Sequence, residues 1–217
     1  MSAAVIFDLD GTLIDSAPDI HMIANEALKI VQAPPITLAQ THDFIGEGIY
    51  KFVEKMRDAR DLPQAFQDAL VDDMSKRYNN AVYLTHPYDG VVDALSELSK
   101  QCRLGVCTNK LTSATEAILK HLNLFDNFDL ICGGDNPLGY KPNPAALLHM
   151  FDKMGCDKQL FVGDSEVDSQ TAIAAGVPFF FFTKGYRKKP VDEIEYAIAF
   201  DDFKNLPNLI ADFILLK

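Results

Sequence analysis

Several features that would place this chain at a membrane, or in an oxidising compartment, are missing from its 217 residues. The most hydrophobic later stretch, Val177 to Phe182, is far too short to span a bilayer. No basic leader precedes the apolar residues that run up to Asp8, so the sequence shows no sign of a signal peptide. No CxxC pair occurs, so zinc and disulfide frameworks are disfavoured, and small buried thiols are expected at Cys102, Cys107, Cys132 and Cys156. These absences predict a cytoplasmic protein without a membrane partner.

Positive charge is also scarce. The chain has 20 Lys and Arg residues against 31 Asp and Glu residues, which gives a formal net charge of −11. Such a balance argues against non-specific binding of nucleic acids or anionic membranes. An acidic protein can still bind a phosphorylated compound, but it then needs a metal ion or a locally basic pocket. The charge balance does not indicate an oligomeric state, so a monomer and a homodimer are both compatible with the sequence.

Short apolar runs alternate with helical patterns along most of the chain. Little polar alternation occurs within the runs, which is typical of parallel strands covered on both faces. The pattern predicts an α/β fold with a Rossmann-like parallel sheet and helices on both faces. The expected strands are Ala3–Phe7, Arg103–Thr108, Asp129–Cys132, Gln159–Gly163 and Pro178–Thr183, and the expected helices between the later strands are Gly90–Gln101, Thr112–Leu122, Asn143–Met154 and Ser165–Ala175.

A long segment without strand signals follows the first strand. It covers residues 16–86, whereas a simple crossover needs only a dozen or so residues. Ser16 and Asp19 resemble a capping box at the start of an amphipathic helix. The sequence therefore predicts a core domain of residues 1–15 and 87–217, with an inserted helical domain of residues 16–86 whose further helices cover Thr37–Phe44, Gly48–Ala59 and Pro63–Tyr78.

Polar clusters stand where the predicted strands end. In open α/β sheets the ligand crevice lies outside the carboxyl ends of the strands, so these clusters are expected to converge. Carboxylates, a hydroxyl and an ammonium group that meet there suit a phosphate ester held against Mg²⁺, which prefers oxygen ligands such as those of Asp8 and Asp164. The clusters are Asp8-Leu9-Asp10-Gly11-Thr12, Thr108-Asn109-Lys110, Lys141-Pro142 and the run from Gly163 to Asp168.

The chemistry of these side chains suggests a separate catalytic role for each. Asp8 can attack phosphorus to give an aspartyl-phosphate, and Asp10 can protonate the leaving oxygen and later activate water. Lys141 offsets negative charge, and Thr108 donates a hydrogen bond to a phosphoryl oxygen. The alternative interpretation of Thr108 is an ordinary strand-end hydroxyl, and that of Asp168 is a charge on a helix face.

Other site types fit less well. A calcium loop starting at Asp8 or at Asp164 lacks the required glycine and glutamate, and the segment before Lys141 departs from a P-loop. Gly46-Glu47-Gly48 lacks the third glycine and the preceding strand of a dinucleotide site. Lys110 and the run Arg187-Lys188-Lys189 are interpreted as solvated loop charges, and no histidine is given a role.

The clusters FDLDGTLIDS, CTNK, YKPNP and VGDSEVD, in this order, resemble the haloacid dehalogenase superfamily of phosphohydrolases. The resemblance covers essentially the whole chain and implies Mg²⁺ as cofactor. It implies that Asp8 is the nucleophile and a metal ligand, and that Asp10 is the acid/base with its carbonyl on the metal. It also implies a set of supporting roles: phosphate binding by Thr108, Asn109 and Lys141, metal binding by Asp164, and orientation of metal-bound water by Asp168.

Within that superfamily the sequence is most similar to phosphoglycolate phosphatases. The inserted segment resembles their small helical cap, in which Gly46 and Gly48 lie in a substrate-specificity loop. The resemblance implies a phosphatase for a small metabolite, with 2-phosphoglycolate as the favoured substrate. Pyrophosphate, sugar phosphates and nucleotides are the alternative substrates. A phosphosugar mutase of the β-phosphoglucomutase type is a second hypothesis, although DGTLIDSA favours hydrolysis. A non-catalytic binding module would be expected to have lost Asp8, Asp10 or Lys141.

Overall fold

A computed structural model describes residues 3–215 of the chain. Its strands are β1 (Ala3–Phe7), β2 (Ile14–Asp15), β3 (His86–Pro87), β4 (Arg103–Cys107), β5 (Leu130–Cys132), β6 (Lys158–Gly163), β7 (Phe179–Phe182) and β8 (Ile198–Phe200). Its α-helices are α1 (Ala17–Ile30), α2 (Leu38–Phe44), α3 (Ile49–Asp58), α4 (Gln67–Tyr78), α5 (Val91–Leu98), α6 (Thr112–His121), α7 (Ala145–Met154), α8 (Glu166–Ala175) and α9 (Leu206–Leu215).

Six of the strands form a parallel sheet in the order β5-β4-β1-β6-β7-β8. β1 lies between β4 and β6, and Phe7 pairs with Val106 on one side and with Val162 on the other. The carboxyl ends of these three strands therefore lie side by side. The predicted α/β fold with a parallel sheet is confirmed, and β8 adds an edge strand that the sequence pattern did not predict.

Apolar side chains cover both faces of the sheet. Val5 and Phe7 belong to one buried cluster, together with residues of α5, α6 and α9, whereas Ala4 and Ile6 belong to another, together with residues of α7 and α8. Successive residues of a strand point to opposite faces, so this division follows directly from the sequence of β1. The central strands are buried from both sides, which explains their continuous apolar character.

The segment between β2 and β3 is helical and has its own apolar cluster. α1 to α4 contribute buried residues that include Leu28, Phe52, Met56 and Met74. β2 and β3 pair antiparallel at the point where the chain enters and leaves this segment. The helices expected in this segment are present, with the last preceded by a 3₁₀ turn at Gln64–Phe66. The division into domains stays a prediction, and residues 1–2 and 216–217 of the predicted core lie outside the described residues.

The predicted capping box at the start of α1 is wrong. Ser16 is the N-cap residue, but its hydroxyl donates to Asp10 at 2.5 Å instead of capping the helix. Asp19 accepts hydrogen bonds from the backbone N–H groups of Leu84 and Thr85 at 2.9 and 2.7 Å. Both side chains thus make long-range contacts, which a local sequence motif does not reveal. Capping boxes are present elsewhere, at the N-termini of α2 and α8.

The four cysteines are free thiols, with Cys107 and Cys156 buried and Cys102 and Cys132 partly exposed. Burial raises the pKa of Cys107 to about 12. Within residues 3–215 no helix has both the length and the apolar character needed to cross a bilayer.

Candidate functional site

Polar side chains from three adjacent strand ends meet at the carboxyl edge of the sheet. Asp8 follows β1, Thr108 follows β4 and Asp164 follows β6. The Asp8 N–H donates to the Val162 carbonyl at 2.9 Å, which extends the β1–β6 pairing to the site itself. The chain then turns at Gly11, where φ is +90° and an added Cβ would lie 2.5 Å from an Asp164 oxygen. Only glycine allows this turn so close to Asp164.

Lys141 lies between two carboxylates at the base of the site. Its Nζ is 2.7 Å from Asp8 and 2.6 Å from Asp168, and its side chain is only 4% exposed. Burial alone would lower the pKa of Lys141, but Asp168 and Asp8 outweigh that effect and raise the pKa above its usual range. Burial raises the pKa of Asp8 to about 7, against the opposing charge of Lys141. The ammonium group therefore stays charged and joins two acidic side chains from different elements.

Three buried carboxylates form a possible metal site. Asp8, Asp164 and Asp168 each offer one oxygen, and these atoms lie within 4.8 Å of one another. Asp164 accepts a hydrogen bond from the Thr12 hydroxyl at 2.7 Å and one from the Tyr186 N–H at 2.6 Å. Burial, Asp168 and Asp8 together raise the pKa of Asp164 well above its usual value. Carboxylate oxygens at this density, partly offset by the Lys141 ammonium group, suit a hard divalent cation such as Mg²⁺.

Asp168 is held by the protein through both of its carboxylate oxygens. One accepts from Lys141, and the other accepts from the Asp164 N–H, the Ser165 N–H and the Ser165 hydroxyl, at 3.2, 3.1 and 2.6 Å. It also serves as the third residue of the capping box of α8. These contacts orient both Lys141 and the loop that carries Asp164.

Asp10 faces a different set of partners from Asp8. It accepts from the Ser16 hydroxyl, and its two oxygens lie 3.1 and 3.2 Å from Nζ of Lys110. The Lys110 ammonium also lies 4.6 Å from the ring centroid of Tyr78, and its side chain is 7% exposed. The interpretation of Lys110 as a solvated loop charge is therefore wrong. Asp10 thus contacts Lys110 and Ser16, whereas Asp8 contacts Lys141, as different roles for the two carboxylates would require.

The Asn109 side chain joins three segments of the site. Its Nδ2 donates to the carbonyls of Gly46 and Lys141 at 2.9 and 3.0 Å, and its Oδ1 accepts from the Lys141 N–H at 2.8 Å. Thr108, also buried, accepts from the Lys110 N–H at 3.2 Å and lines the adjacent cavity. Asn109 therefore positions Lys141 and the Gly46 loop, and its contact with a substrate stays a prediction.

Two small cavities lie between the strand ends and the helical segment. The larger, of about 40 Å³, is bordered by Asp8, Asp10, Thr108 and Lys110 on one side and by Ile20, Ile45, Gly46, Gly48, Ile49 and Phe52 on the other. The smaller, of about 20 Å³, is bordered by Asp8, Asp164 and Lys188 among others. Gly48 has φ +85°, and a Cβ there would lie 2.8 Å from the Tyr140 ring. The loop that contains both predicted glycines thus closes over the carboxylates.

Lys188, from the basic run expected to be solvated, reaches this loop from the other side. Its Nζ donates to the Ile45 carbonyl at 3.2 Å, and one third of its side chain remains exposed. Burial and the nearby charge of Lys55 lower the pKa of Lys188. Lys188 and Asn109 therefore hold two consecutive carbonyl groups of the helical segment from two different loops of the core.

Comparison with known proteins gives the family of this chain. Residues 5–182 match the family model described as haloacid dehalogenase-like hydrolase. The chain belongs to this family. The resemblance predicted from the four motifs is confirmed, and every one of those motifs falls within the matched region.

Relatives within the haloacid dehalogenase-like hydrolases match over almost their full length. The chain is 39% identical over 213 residues to a phosphoglycolate phosphatase of Rhodobacter capsulatus, with 97% of each chain covered. It is 40% identical over 210 residues to a phosphoglycolate phosphatase of Cereibacter sphaeroides, with 95% of this chain and 96% of the relative covered. A crystal structure described as a predicted phosphoglycolate phosphatase of Haemophilus somnus 129pt superimposes with a TM-score of 0.90 at 28% identity, covering 95% of this chain and 97% of that one.

The structure brings together the residues that the motifs singled out and adds others. Thr12, Ser16, Lys110 and Tyr186 contact the central carboxylates, although none of them was predicted to do so. One signal for Lys110 was available: it follows Thr108 by two positions at a strand end, just as Asp10 follows Asp8. Tyr186 carries no such signal, because it approaches Asp164 from a loop that follows β7.

Proposed function

We propose that this haloacid dehalogenase-like hydrolase is a Mg²⁺-dependent phosphatase that hydrolyses a small phosphate monoester, with 2-phosphoglycolate as the preferred substrate. The observation that carries the proposal is the Lys141 ammonium group held between Asp8 and Asp168, beside Asp164. This arrangement provides a cation and a nucleophile in one buried site, and a further carboxylate, Asp10, borders the same cavity as Asp8. The curated relatives named as phosphoglycolate phosphatases support the choice of substrate.

In the first step an Asp8 oxygen attacks phosphorus, and the bond between phosphorus and the ester oxygen breaks. Asp10 donates its proton to the departing oxygen, so the alcohol leaves neutral. In the second step Asp10 takes a proton from water, and the water oxygen attacks phosphorus. The bond to Asp8 then breaks and releases inorganic phosphate. Lys141 and the Thr108 hydroxyl stabilise the negative charge that builds up on the phosphoryl oxygens.

The donor set fits Mg²⁺, which Asp8, Asp164 and the backbone carbonyl of Asp10 would hold. When bound, Mg²⁺ neutralises charge on the phosphoryl group and on the carboxylates. Asp168 fixes the Lys141 ammonium and the Asp164 loop, so its contribution is to position the groups that bind the substrate.

We further propose that residues 16–86 form a cap over a core built from residues 1–15 and 87–217. The loop with Gly46 and Gly48 covers the carboxylates and limits the space above them. Such a site suits a short organic acid better than a hexose or a nucleoside, and its enclosure excludes bulk water from the reaction.

A phosphate-release panel tests this function. Wild-type enzyme is compared on 2-phosphoglycolate, pyrophosphate, hexose phosphates and nucleotides, with Mg²⁺ or with a chelator. Asp8→Asn is the inactive variant, and Asp72→Asn, which alters an exposed helix-surface ion pair, is the matched control. We expect Mg²⁺-dependent release with the highest kcat/KM on 2-phosphoglycolate, abolished only in Asp8→Asn. Release that persists in Asp8→Asn would contradict the mechanism, and a preferred hexose phosphate would contradict the substrate assignment.

A further inference from the structure

Lys110 places a buried positive charge inside the larger cavity. Of the described residues that border this cavity, it is the only cation, since Lys141 lies deeper, between Asp8 and Asp168. The surrounding walls are largely apolar, with Ile49 and Phe52 opposite. A charge in such surroundings is poorly hydrated, so an anion that reaches it is bound more strongly than at an exposed lysine.

The position of Lys110 is fixed by two contacts. Its Nζ lies 3.1 and 3.2 Å from the two oxygens of Asp10, and it lies over the Tyr78 ring. An ammonium group has three N–H donors, so the two Asp10 oxygens leave one available for a further acceptor. Because the Tyr78 ring also borders the cavity, this donor group lies at the cavity wall.

The chemistry assigned to Asp10 places Lys110 next to the organic part of the substrate. Asp10 protonates the ester oxygen, so that oxygen lies within hydrogen-bond distance of the same carboxylate that Lys110 contacts. In a phosphorylated 2-hydroxy acid the carboxylate carbon is two bonds from the ester oxygen. A carboxylate attached in this way reaches the Lys110 ammonium group without leaving the cavity.

We propose that Lys110 binds the carboxylate of the substrate and thereby selects phosphorylated 2-hydroxy acids over phosphate esters of the same size whose organic part carries no charge. This inference rests on the proposed phosphatase function and on the role of Asp10 within it. The competing explanation is that Lys110 only orients Asp10, in which case every substrate depends on Lys110 equally.

The two explanations are separated by a pair of substrates. Ethyl phosphate has the skeleton of 2-phosphoglycolate with a methyl group in place of the carboxylate. Lys110→Met keeps the aliphatic chain against Tyr78 and removes the charge. Lys110→Gln is a second neutral variant, in case the first does not fold. Lys29→Met is the matched control, because the Lys29 side chain is 69% exposed on α1 and borders neither cavity.

We expect Lys110→Met or Lys110→Gln to lower the ratio of kcat/KM for 2-phosphoglycolate to that for ethyl phosphate by about tenfold or more, as for a charged hydrogen bond. Lys29→Met should leave this ratio within about threefold of wild type. An equal loss on both substrates, or the same change of ratio in Lys29→Met, would overturn the inference. A wild-type enzyme that shows no preference for the carboxylate ester would overturn it too, together with the assignment of 2-phosphoglycolate as the preferred substrate. Phosphate release that depends on Asp8 would then leave only the phosphatase mechanism intact.

Binding of glycolate by titration calorimetry gives a readout that needs no turnover. We expect the neutral Lys110 variants to bind glycolate about tenfold or more weakly than wild type, and Lys29→Met to bind it like wild type. If no ester is hydrolysed, the proposed function fails, and glycolate binding alone decides the assignment of Lys110. Unchanged glycolate affinity in the Lys110 variants overturns the assignment.

Discussion

The Tyr186 hydroxyl connects the point where the chain enters the helical segment to the Asp164 loop, and its removal tests that connection. The hydroxyl accepts from the backbone N–H groups of Ser16 and Ala17 at 2.8 and 3.0 Å, and it donates to Asp15 at 2.5 Å. These N–H groups belong to the start of α1, where the Ser16 side chain provides no cap. A tyrosine distant in sequence thus caps this helix.

The magnitude of the effect of Tyr186→Phe follows from which groups lose their partners. The Ala17 N–H retains a weaker contact with Asp15 at 3.3 Å, but the buried Ser16 N–H loses the partner that the hydroxyl provides. An unsatisfied buried donor costs about 1–3 kcal/mol. We therefore expect the free energy of unfolding to fall by about 2 kcal/mol, which lowers the Tm of a protein of this size by about 4–8 °C.

Urea unfolding followed by circular dichroism measures this change, and the denaturant slope should not change. Tyr83→Phe is the matched control, because Tyr83 is 78% exposed. The same substitution there should change the free energy of unfolding by less than about 0.5 kcal/mol. A Tyr186→Phe variant as stable as Tyr83→Phe would refute the role of the hydroxyl as the cap of α1.

Three further predictions concern the glycine loop and the carboxylates. Gly48→Ala should lower the free energy of unfolding by about 1–3 kcal/mol, because of its positive φ and the Tyr140 ring. Gly46 also has a positive φ, of +115°, but a Cβ there meets no atom within 4 Å, so Gly46→Ala should cost less, and equal costs would contradict the packing argument. Mg²⁺ at 100 times its Kd should stabilise wild type by about 2.7 kcal/mol in thermal melts, and the same gain in Asp164→Asn would contradict the metal site. Burial raises the pKa of Asp8 from 3.8 to about 7. As pH rises through this range, folding must either protonate the Asp8 carboxylate or bury its charge, and both lower the free energy of unfolding. In chelator, Asp8→Asn should therefore gain stability relative to wild type between pH 4 and 7, and a constant difference in urea unfolding would contradict the raised pKa.

Much of the sheet could be predicted because its central strands carry strong local signals. β1 and β6 are apolar runs that end in polar residues, and the structure places them side by side. β8 escaped prediction because it has only three residues, of which Ala199 is exposed, so it shows no continuous buried pattern. Helix α9, which was not predicted either, packs against α5.

In the candidate site, too, some residues are indicated by local sequence motifs, whereas others are brought close only by the fold. Motif positions predicted that Asp8, Lys141 and Asp164 lie close together, because parallel topology brings the ends of strands together, and the structure places them so. The contacts of Ser16 and Lys110 with Asp10 depend on the exact approach of two loops, and short sequence patterns suggested a helix cap and a solvated charge instead. Residues that hold catalytic groups in place are harder to predict than the groups themselves, since many side chains can fill such a role.

Chemical trapping of Asp8 during turnover tests the central claim most directly. Borohydride reduces an aspartyl-phosphate to homoserine, which mass spectrometry locates in the peptide that contains residue 8. The proposed mechanism predicts homoserine at position 8 when both 2-phosphoglycolate and Mg²⁺ are present, and none when either is left out. Steady phosphate release with unmodified Asp8, or with the modification at another carboxylate, would contradict it.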